Sequence, residues 1–150
     1  MYRHILLPTD GSKLSDRAVR EAVGLAKTLG AKITALHVMP TEQMLLDEFF
    51  VVPVTTSQSL KSEFKKQAAL RSKEILENVR RQGAAGGVEC ETVSAAGDSP
   101  YKAILEQATK SGCDLIMMAS HGRRGMSGVL LGSETAKVLA HSKIPVLVVR

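Results

Sequence analysis

Aromatic residues are scarce in this chain: they make up 3% of its 150 residues, and tryptophan is absent. A surface that stacks the bases of single-stranded nucleic acid needs aromatic rings. The net charge is +5, but acidic residues alternate with lysines between Lys61 and Glu77, as on a solvent-exposed helix face. We therefore expect no nucleic-acid partner, while the positive charge permits a smaller anionic ligand.

Long apolar runs and paired cysteines are also missing. Runs such as Ile5–Leu7 and Val146–Val149 are too short to cross a bilayer, so we expect no membrane insertion. The first residues contain no apolar stretch of the signal-peptide kind, which predicts a cytoplasmic protein. Cys90 and Cys113 have no C-x-x-C spacing and are too few for a disulfide framework. We expect them to be small buried hydrophobic side chains, and no zinc-site or Walker A spacing is present.

What the chain has is a regular alternation of strand and helix patterns. Short apolar or alternating segments predict five strands, at 3–8, 32–39, 88–95, 114–119 and 145–149. Helical spacing of apolar residues predicts four helices, at 14–29, 64–83, 100–111 and 133–141. Strands joined by helices of this length are parallel, with right-handed crossovers. The sequence therefore predicts one α/β domain over 1–150, a three-layer sandwich around a five-stranded, parallel, doubly wound, Rossmann-like sheet.

One connection, 41–59, is too long for this simple alternation and carries two of the three phenylalanines. Connections of this length are usually functional. Two interpretations remain open for it. The segment either folds over the edge of the sheet or forms a lid or a surface for a protein partner.

Two segments of unusual composition follow strand ends. Ligands of open parallel sheets bind at the carboxyl ends of the strands, and there the chain places 8–12 after strand one and 119–133 after strand four. The second segment is rich in glycine and opens a helix at Gly132–Ser133, so its N–H groups can converge on a phosphate. Arg123 and Arg124 add positive charge to it. The alternative is an exposed loop with an ordinary serine N-cap at Ser133.

Asp10 is the one acidic residue of the first of these segments. A carboxylate at this place could accept hydrogen bonds from a ribose or help to hold a metal ion. The alternative is an Asx turn that leads into the next helix, which the sequence Asp10–Ser12 favours by itself.

These segments carry a resemblance to a known family. Gly122, the nine residues after it and Gly132–Ser133 have the spacing of the later part of the nucleotide-binding signature of universal stress proteins. The segments 8–12 and 144–149 also resemble that family, so the resemblance runs from end to end. Ala119 stands where the signature has its first glycine. Alanine allows close backbone approach, but it disfavours a positive φ.

The resemblance implies a fold similar to that of adenine-nucleotide alpha hydrolases and a site for ATP with magnesium. Asp10 would lie beside the ribose and the metal, and the backbone of Val38 would meet the adenine. Met118 and Ala119 would form the floor, while a first-turn Glu134 is expected to point to solvent. The full set of implied nucleotide-binding residues is Pro8, Thr9, Asp10, Val38, Met118, Ala119, His121, Gly122, Arg123, Gly132, Ser133, Glu134 and Thr135, with Ser133 and Thr135 as direct phosphate donors.

The resemblance also implies a homodimer that pairs through strand 145–149, and a stress-response sensor or regulator that binds its nucleotide without much turnover. Two alternatives remain open. One is a slow ATP hydrolase, although phosphoryl transfer needs a metal clamp, a fixed cation and a group that positions the nucleophile, and no convincing base is present. The other is a stress protein that binds no nucleotide and acts through protein contacts, with 41–59 as the candidate partner surface.

Overall fold

The computed structural model describes residues 1–41, 58–122 and 131–150 of the chain. It contains five strands, β1 His4–Pro8, β2 Lys32–Met39, β3 Cys90–Ala96, β4 Leu115–Ala119 and β5 Val146–Val149. Its four helices are α1 Lys13–Leu29, α2 Gln58–Gly86, α3 Pro100–Lys110 and α4 Ser133–His141. Every strand pair is parallel, so the predicted five-stranded parallel sheet is confirmed. The predicted loop at 41–59 lies, apart from its ends, outside the described residues.

The strand order is β3-β2-β1-β4-β5. From β1 the chain moves outward through β2 and β3, then returns to the other side of β1 for β4 and β5. The order therefore reverses between β1 and β4, and a crevice forms beyond the carboxyl ends of these two strands. This is the edge at which the sequence placed the candidate nucleotide site.

The sheet separates two apolar cores, because successive side chains of a strand point to opposite faces. Ile5 and Leu7 of β1 face α1 and α2, where Val19 and Val79 are buried. Leu6 faces the other side and packs in a second core with residues of α3 and α4. Helices therefore cover both faces, which confirms the doubly wound, three-layer arrangement.

The predicted end of the second helix at Gly83 is wrong. The helix continues to Gly86 and is followed by Gly87, which has a φ of +72°. Gly83 instead serves packing, because a Cβ atom placed on it would lie 2.8 Å from the Cβ atom of Cys90. The third strand begins at Cys90, two residues after its predicted start at 88. Val88 does not pair in the sheet, because its N–H donates to the carbonyl of Gly83 at the end of the helix, at 2.9 Å.

Both cysteines are thiols in the described structure, Cys113 buried and Cys90 half-buried. Burial raises the pKa of Cys113 to about 11 and also raises the pKa of Cys90. Cys113 is therefore the small buried side chain that the sequence predicts, and Cys90 is partly so. None of the four helices in the described ranges is long and apolar enough to cross a membrane.

We expect Gly83→Ala to lower the free energy of unfolding by about 1–2 kcal/mol, because overpacking against Cys90 outweighs the better helix propensity of alanine. Gly24, in the middle of α1, is the matched control, since a Cβ atom there meets nothing within 4 Å. Gly24→Ala should raise the free energy of unfolding by about 0.5–1 kcal/mol. Urea denaturation of the two variants measures both effects, and shifts in the same direction would contradict this account of Gly83.

Candidate functional site

The turn between β1 and α1 brings Asp10 to the crevice. The N–H of Ser12 donates to Asp10 Oδ1 at 3.0 Å, which is the Asx turn that the sequence offered as an alternative. Ser12 then caps α1 by accepting from the N–H of Ser15 at 3.2 Å. The other carboxylate oxygen borders the loop after β4, because a Cβ atom on Gly122 would lie 2.5 Å from Asp10 Oδ2. Asp10 thus both closes its turn and lines the crevice.

Hydrogen bonds of Thr9 and Ser15 fix this turn on its buried side. Thr9 is buried, its N–H donates to the carbonyl of Leu36 at 2.8 Å, and its hydroxyl is hydrogen-bonded to the hydroxyl of Ser15. Ser15 Oγ also accepts from the N–H of Asp10 at 3.3 Å. The sequence analysis did not identify Ser15. The sequence did contain a signal for it: Ser15 directly follows Leu14, a residue of the predicted apolar face of α1, so a polar side chain stands near the buried side of that helix.

The start of α4 is fastened to the end of β4. Gly132 donates its N–H to the carbonyl of Ser120 at 2.7 Å, and Thr135 Oγ1 donates to the carbonyl of Ala119 at 3.1 Å. A Cβ atom on Gly132 would lie 3.1 Å from the Cα atom of His121. A side chain at residue 132 would therefore crowd the backbone of residues 120 and 121, which would have to shift by a few tenths of an ångström.

The N-terminus of α4 has no side-chain cap. The N-cap residue is Gly132, with φ −70°, and among the described residues no side chain makes a capping hydrogen bond to the first turn. The alternative of a serine N-cap at Ser133 is therefore wrong, because Ser133 is the first residue inside the helix and is exposed. The first-turn N–H groups and the hydroxyl of Ser133 are thus placed to receive an anion.

Glu134 does not simply point to solvent, as the sequence analysis expected. Its Oε2 accepts from the N–H of Tyr101 at 2.8 Å, and its Oε1 forms an ion pair with Lys137 Nζ at 2.8 Å. It caps α3, whose own N-cap residue Ser99 makes no side-chain capping bond. The carboxylate that could repel a phosphate at the start of α4 is therefore engaged by two donors.

The residues expected at the floor of the site lie at the strand ends. Ala119 is the last residue of β4 and pairs with Val149, so it has a strand conformation that alanine adopts without strain. Met118 and half-buried Val38 pack in the core on the α3 and α4 side of the sheet. Pro8 ends β1 in register with Leu36, its side chain half-buried.

The remaining predicted residues are His121 and Arg123. His121 is half-exposed, and its Nδ1 is hydrogen-bonded to the hydroxyl of Ser120 at 3.2 Å. Arg123 and its neighbour Arg124 lie outside the described residues. Within 1–41, 58–122 and 131–150, no three His, Cys, Asp or Glu side chains cluster to hold a metal ion. A magnesium ion that arrives with phosphates and water needs only one or two carboxylates, so Asp10 fits that arrangement.

A buried polar network lies beside the crevice, at the end of β2. The Nδ1 of buried His37 is hydrogen-bonded to Ser72 Oγ of α2 at 2.9 Å, and Ser72 Oγ is hydrogen-bonded to Ser94 Oγ of β3 at 2.7 Å. The pKa of His37 lies below its ordinary value, mainly because the ring is buried. The negative charge of Asp10 partly opposes this shift, and the positive charge of Arg71 adds to it. The imidazole is therefore neutral at pH 7 and ties α2 to two strands.

A separate pocket of about 230 Å³ opens between α1 and α2. It contains no residue of β4 or α4, so it is distinct from the crevice, although it reaches the β1–α1 turn. Its lining residues are Thr9, Gly11, Asp16, Glu74, Ile75, Asn78 and Val79.

The fold agrees with the comparisons with known proteins. The model of the universal stress protein family matches residues 1–150, and the chain belongs to that family. Universal stress protein YxiE of Bacillus subtilis is 35% identical over 153 residues, with 100% of both chains covered. The structure of UspA from Lactobacillus plantarum matches with a TM-score of 0.83 at 26% identity, covering 99% of this chain and 98% of that one. A universal stress protein in complex with cAMP matches with a TM-score of 0.72 at 25% identity, covering 99% and 97%.

We expect the free energy of unfolding to fall as the pH drops from about 7 toward 5. The unfolded chain takes up a proton on His37 near its ordinary pKa of 6.5, whereas the folded protein resists it, so acid favours unfolding. His37→Gln keeps a hydrogen-bonding partner for Ser72 without a titrating group, and should reduce the fall. His4, whose pKa burial also lowers, retains its own share. Urea denaturation across this range measures the effect, with exposed His141→Gln as control; an equal slope in wild type and His37→Gln would contradict it.

Proposed function

We propose that this protein binds an adenine nucleotide, with ATP and its magnesium complex as the first candidate, beyond the carboxyl ends of β1 and β4. The observation that carries the proposal is the geometry at Gly132. A Cβ atom at this position would crowd the Cα atom of His121 at 3.1 Å and the carbonyl of Ser120 at 3.3 Å, while the N-cap residue of the helix makes no side-chain capping bond. Main-chain N–H groups that are left open in this way, at the positive end of a helix dipole, suit a phosphate group.

The proposed contacts follow from the positions of the described residues. Asp10, at the crevice through its Oδ2, would accept from the ribose and support the metal ion, and the backbone of Val38 would meet the adenine. Exposed Ser133 would donate to the phosphates. Thr135 is buried and its hydroxyl already donates to the carbonyl of Ala119. It would therefore act indirectly, by holding the first turn of α4, the proposed phosphate cradle, against the end of β4.

The family relationship supports the class of ligand. The universal stress protein whose structure contains cAMP covers nearly this whole chain, and cAMP is an adenine nucleotide with one phosphate. The strand conformation of Ala119 supports the proposal as well, because the loss of the signature's first glycine then imposes no backbone strain. We further propose that the protein acts in the cytoplasm as a sensor or regulator whose nucleotide occupancy is the signal.

Titration with ATP, AMP and GTP, each with and without magnesium, tests the proposal by the shift in melting temperature. Ligand at 100 times its Kd should stabilise the fold by about 2.7 kcal/mol, a shift of several degrees in a domain of this size. Gly132→Val should remove the shift while leaving a folded protein. Gly97→Val is the matched control, because a Cβ atom on Gly97 meets nothing within 4 Å.

Each other outcome points to a different function. No shift with any nucleotide in the wild type would contradict the proposal and favour a protein that acts through protein contacts. Retained binding in Gly132→Val would contradict the placement of the cradle. Sustained phosphate release that Ser133→Ala or Asp10→Ala abolishes would show an ATP hydrolase in place of a sensor.

We also propose that two copies pair along β5, which is an edge strand of the described sheet. The carbonyls of Pro145 and Val149 accept from β4, so by the alternation of a strand the backbone groups of Val146 and Val148 face outward. Leu147 is 38% exposed beside them. An apolar edge with open backbone groups is suited to pairing with its own copy around a two-fold axis.

Val148→Pro should convert the dimer to a monomer. Proline removes one outward-facing N–H, and an edge strand tolerates it because no bond to β4 is lost. Val148→Ala, which keeps that N–H, should remain dimeric. Sedimentation velocity distinguishes the two states; a monomeric wild type, or a dimeric Val148→Pro variant with unchanged affinity, would argue against pairing through β5.

A further inference from the structure

One face of α2 packs against the start of α1 and against the turn that carries Asp10. Side chains of a helix that are three or four positions apart lie on the same face. On this face Gln82 and Asn78 donate to Asp16 Oδ1 at 3.4 and 3.1 Å. One turn farther toward the N-terminus, Ile75 packs on the β1–α1 turn, since a Cβ atom on Gly11 would lie 2.8 Å from Ile75 Cγ1.

Arg71 is the next residue on this face of α2, four positions before Ile75. The helix runs antiparallel to the strands, because its C-terminal end meets the beginning of β3 and Ser72 meets His37 near the end of β2. Moving toward its N-terminus therefore means moving past the carboxyl ends of the strands. At a rise of about 1.5 Å per residue, Arg71 lies about 6 Å beyond Ile75 along the helix axis, in the direction of the carboxyl ends of the strands.

The charge of Arg71 is not paired in a salt bridge with an acidic residue of the described ranges. Arg71 is exposed. Its positive charge and the negative charge of Asp10 both act on the imidazole of His37, so both groups lie within electrostatic reach of that ring. The Arg71 side chain thus leaves α2 on the face that borders the β1–α1 turn, and its donors are unpaired among the described residues.

We infer that Arg71 binds a phosphate group of the nucleotide, so that α2 forms a third wall of the site beside the β1–α1 turn and the start of α4. This inference rests on the proposed nucleotide function. The planar guanidinium presents paired N–H donors to phosphate oxygens and keeps its charge at every physiological pH. The other ligand of suitable chemistry is a carboxylate of a protein partner, which the experiment below distinguishes.

The test compares Arg71→Gln with Lys73→Gln. Both variants remove one positive charge from an exposed position of α2, but Lys73, two residues on, faces away from the turn. Calorimetric titration of the full chain with ATP and with adenosine should show ATP binding about tenfold or more weaker in Arg71→Gln, with adenosine binding unchanged. Lys73→Gln should bind both as the wild type does, within about twofold, and Arg71→Lys should recover part of the ATP affinity. Raising the salt concentration should weaken ATP binding less in Arg71→Gln than in the wild type.

The outcomes separate this inference from the proposed function. If Arg71→Gln and Lys73→Gln bind ATP alike, the role of Arg71 is overturned and the nucleotide function stands. The same holds if Arg71→Gln loses ATP and adenosine equally, since a phosphate contact cannot affect a ligand without phosphate. If the wild type binds no nucleotide, both are overturned, and a partner carboxylate becomes the better ligand for Arg71.

Discussion

The join between the end of β4 and the start of α4 is the contact on which the rest of the site depends. A main-chain hydrogen bond from Gly132 to Ser120 and a side-chain bond from Thr135 to Ala119 hold the helix against the strand end. They place the positive end of the helix dipole at the point where the strand order reverses. The carboxylate of Asp10, beside Gly122, closes the crevice from the other strand. Each of these groups alone would be an ordinary turn or helix end.

The buried and the exposed polar groups near this join differ in what they bind to. Thr9, Ser15 and Thr135 are buried, and their hydroxyl groups are bonded within the protein, so they set the shape of the crevice. Ser133 is exposed, and the N-cap residue before it makes no side-chain capping bond to the first turn of α4. A site built mostly from backbone recognises charge and size before it recognises chemical detail.

The sequence predicted the positions of strands and helices, and it missed contacts between residues that are far apart along the chain. Apolar periodicity located all five strands, and it gave the bounds of α4, 133–141, as the structure has them. Gly83 was taken as a helix end because a glycine often is one, but its role is set by Cys90 on the next strand. The capping of α3 by Glu134 could not be read from the sequence either, since the two ends of the bond, at Tyr101 and Glu134, lie on different helices. Ser15 is a different case, because its partner Thr9 is only six positions away, in the turn before α1.

The two cysteine thiols bear on how this chain responds to oxidants. Burial raises the pKa of Cys113 to about 11 and raises that of Cys90, so at neutral pH both side chains are protonated. Peroxide attacks the thiolate and leaves the protonated form largely untouched. In the folded chain these two thiols are therefore poor targets for peroxide.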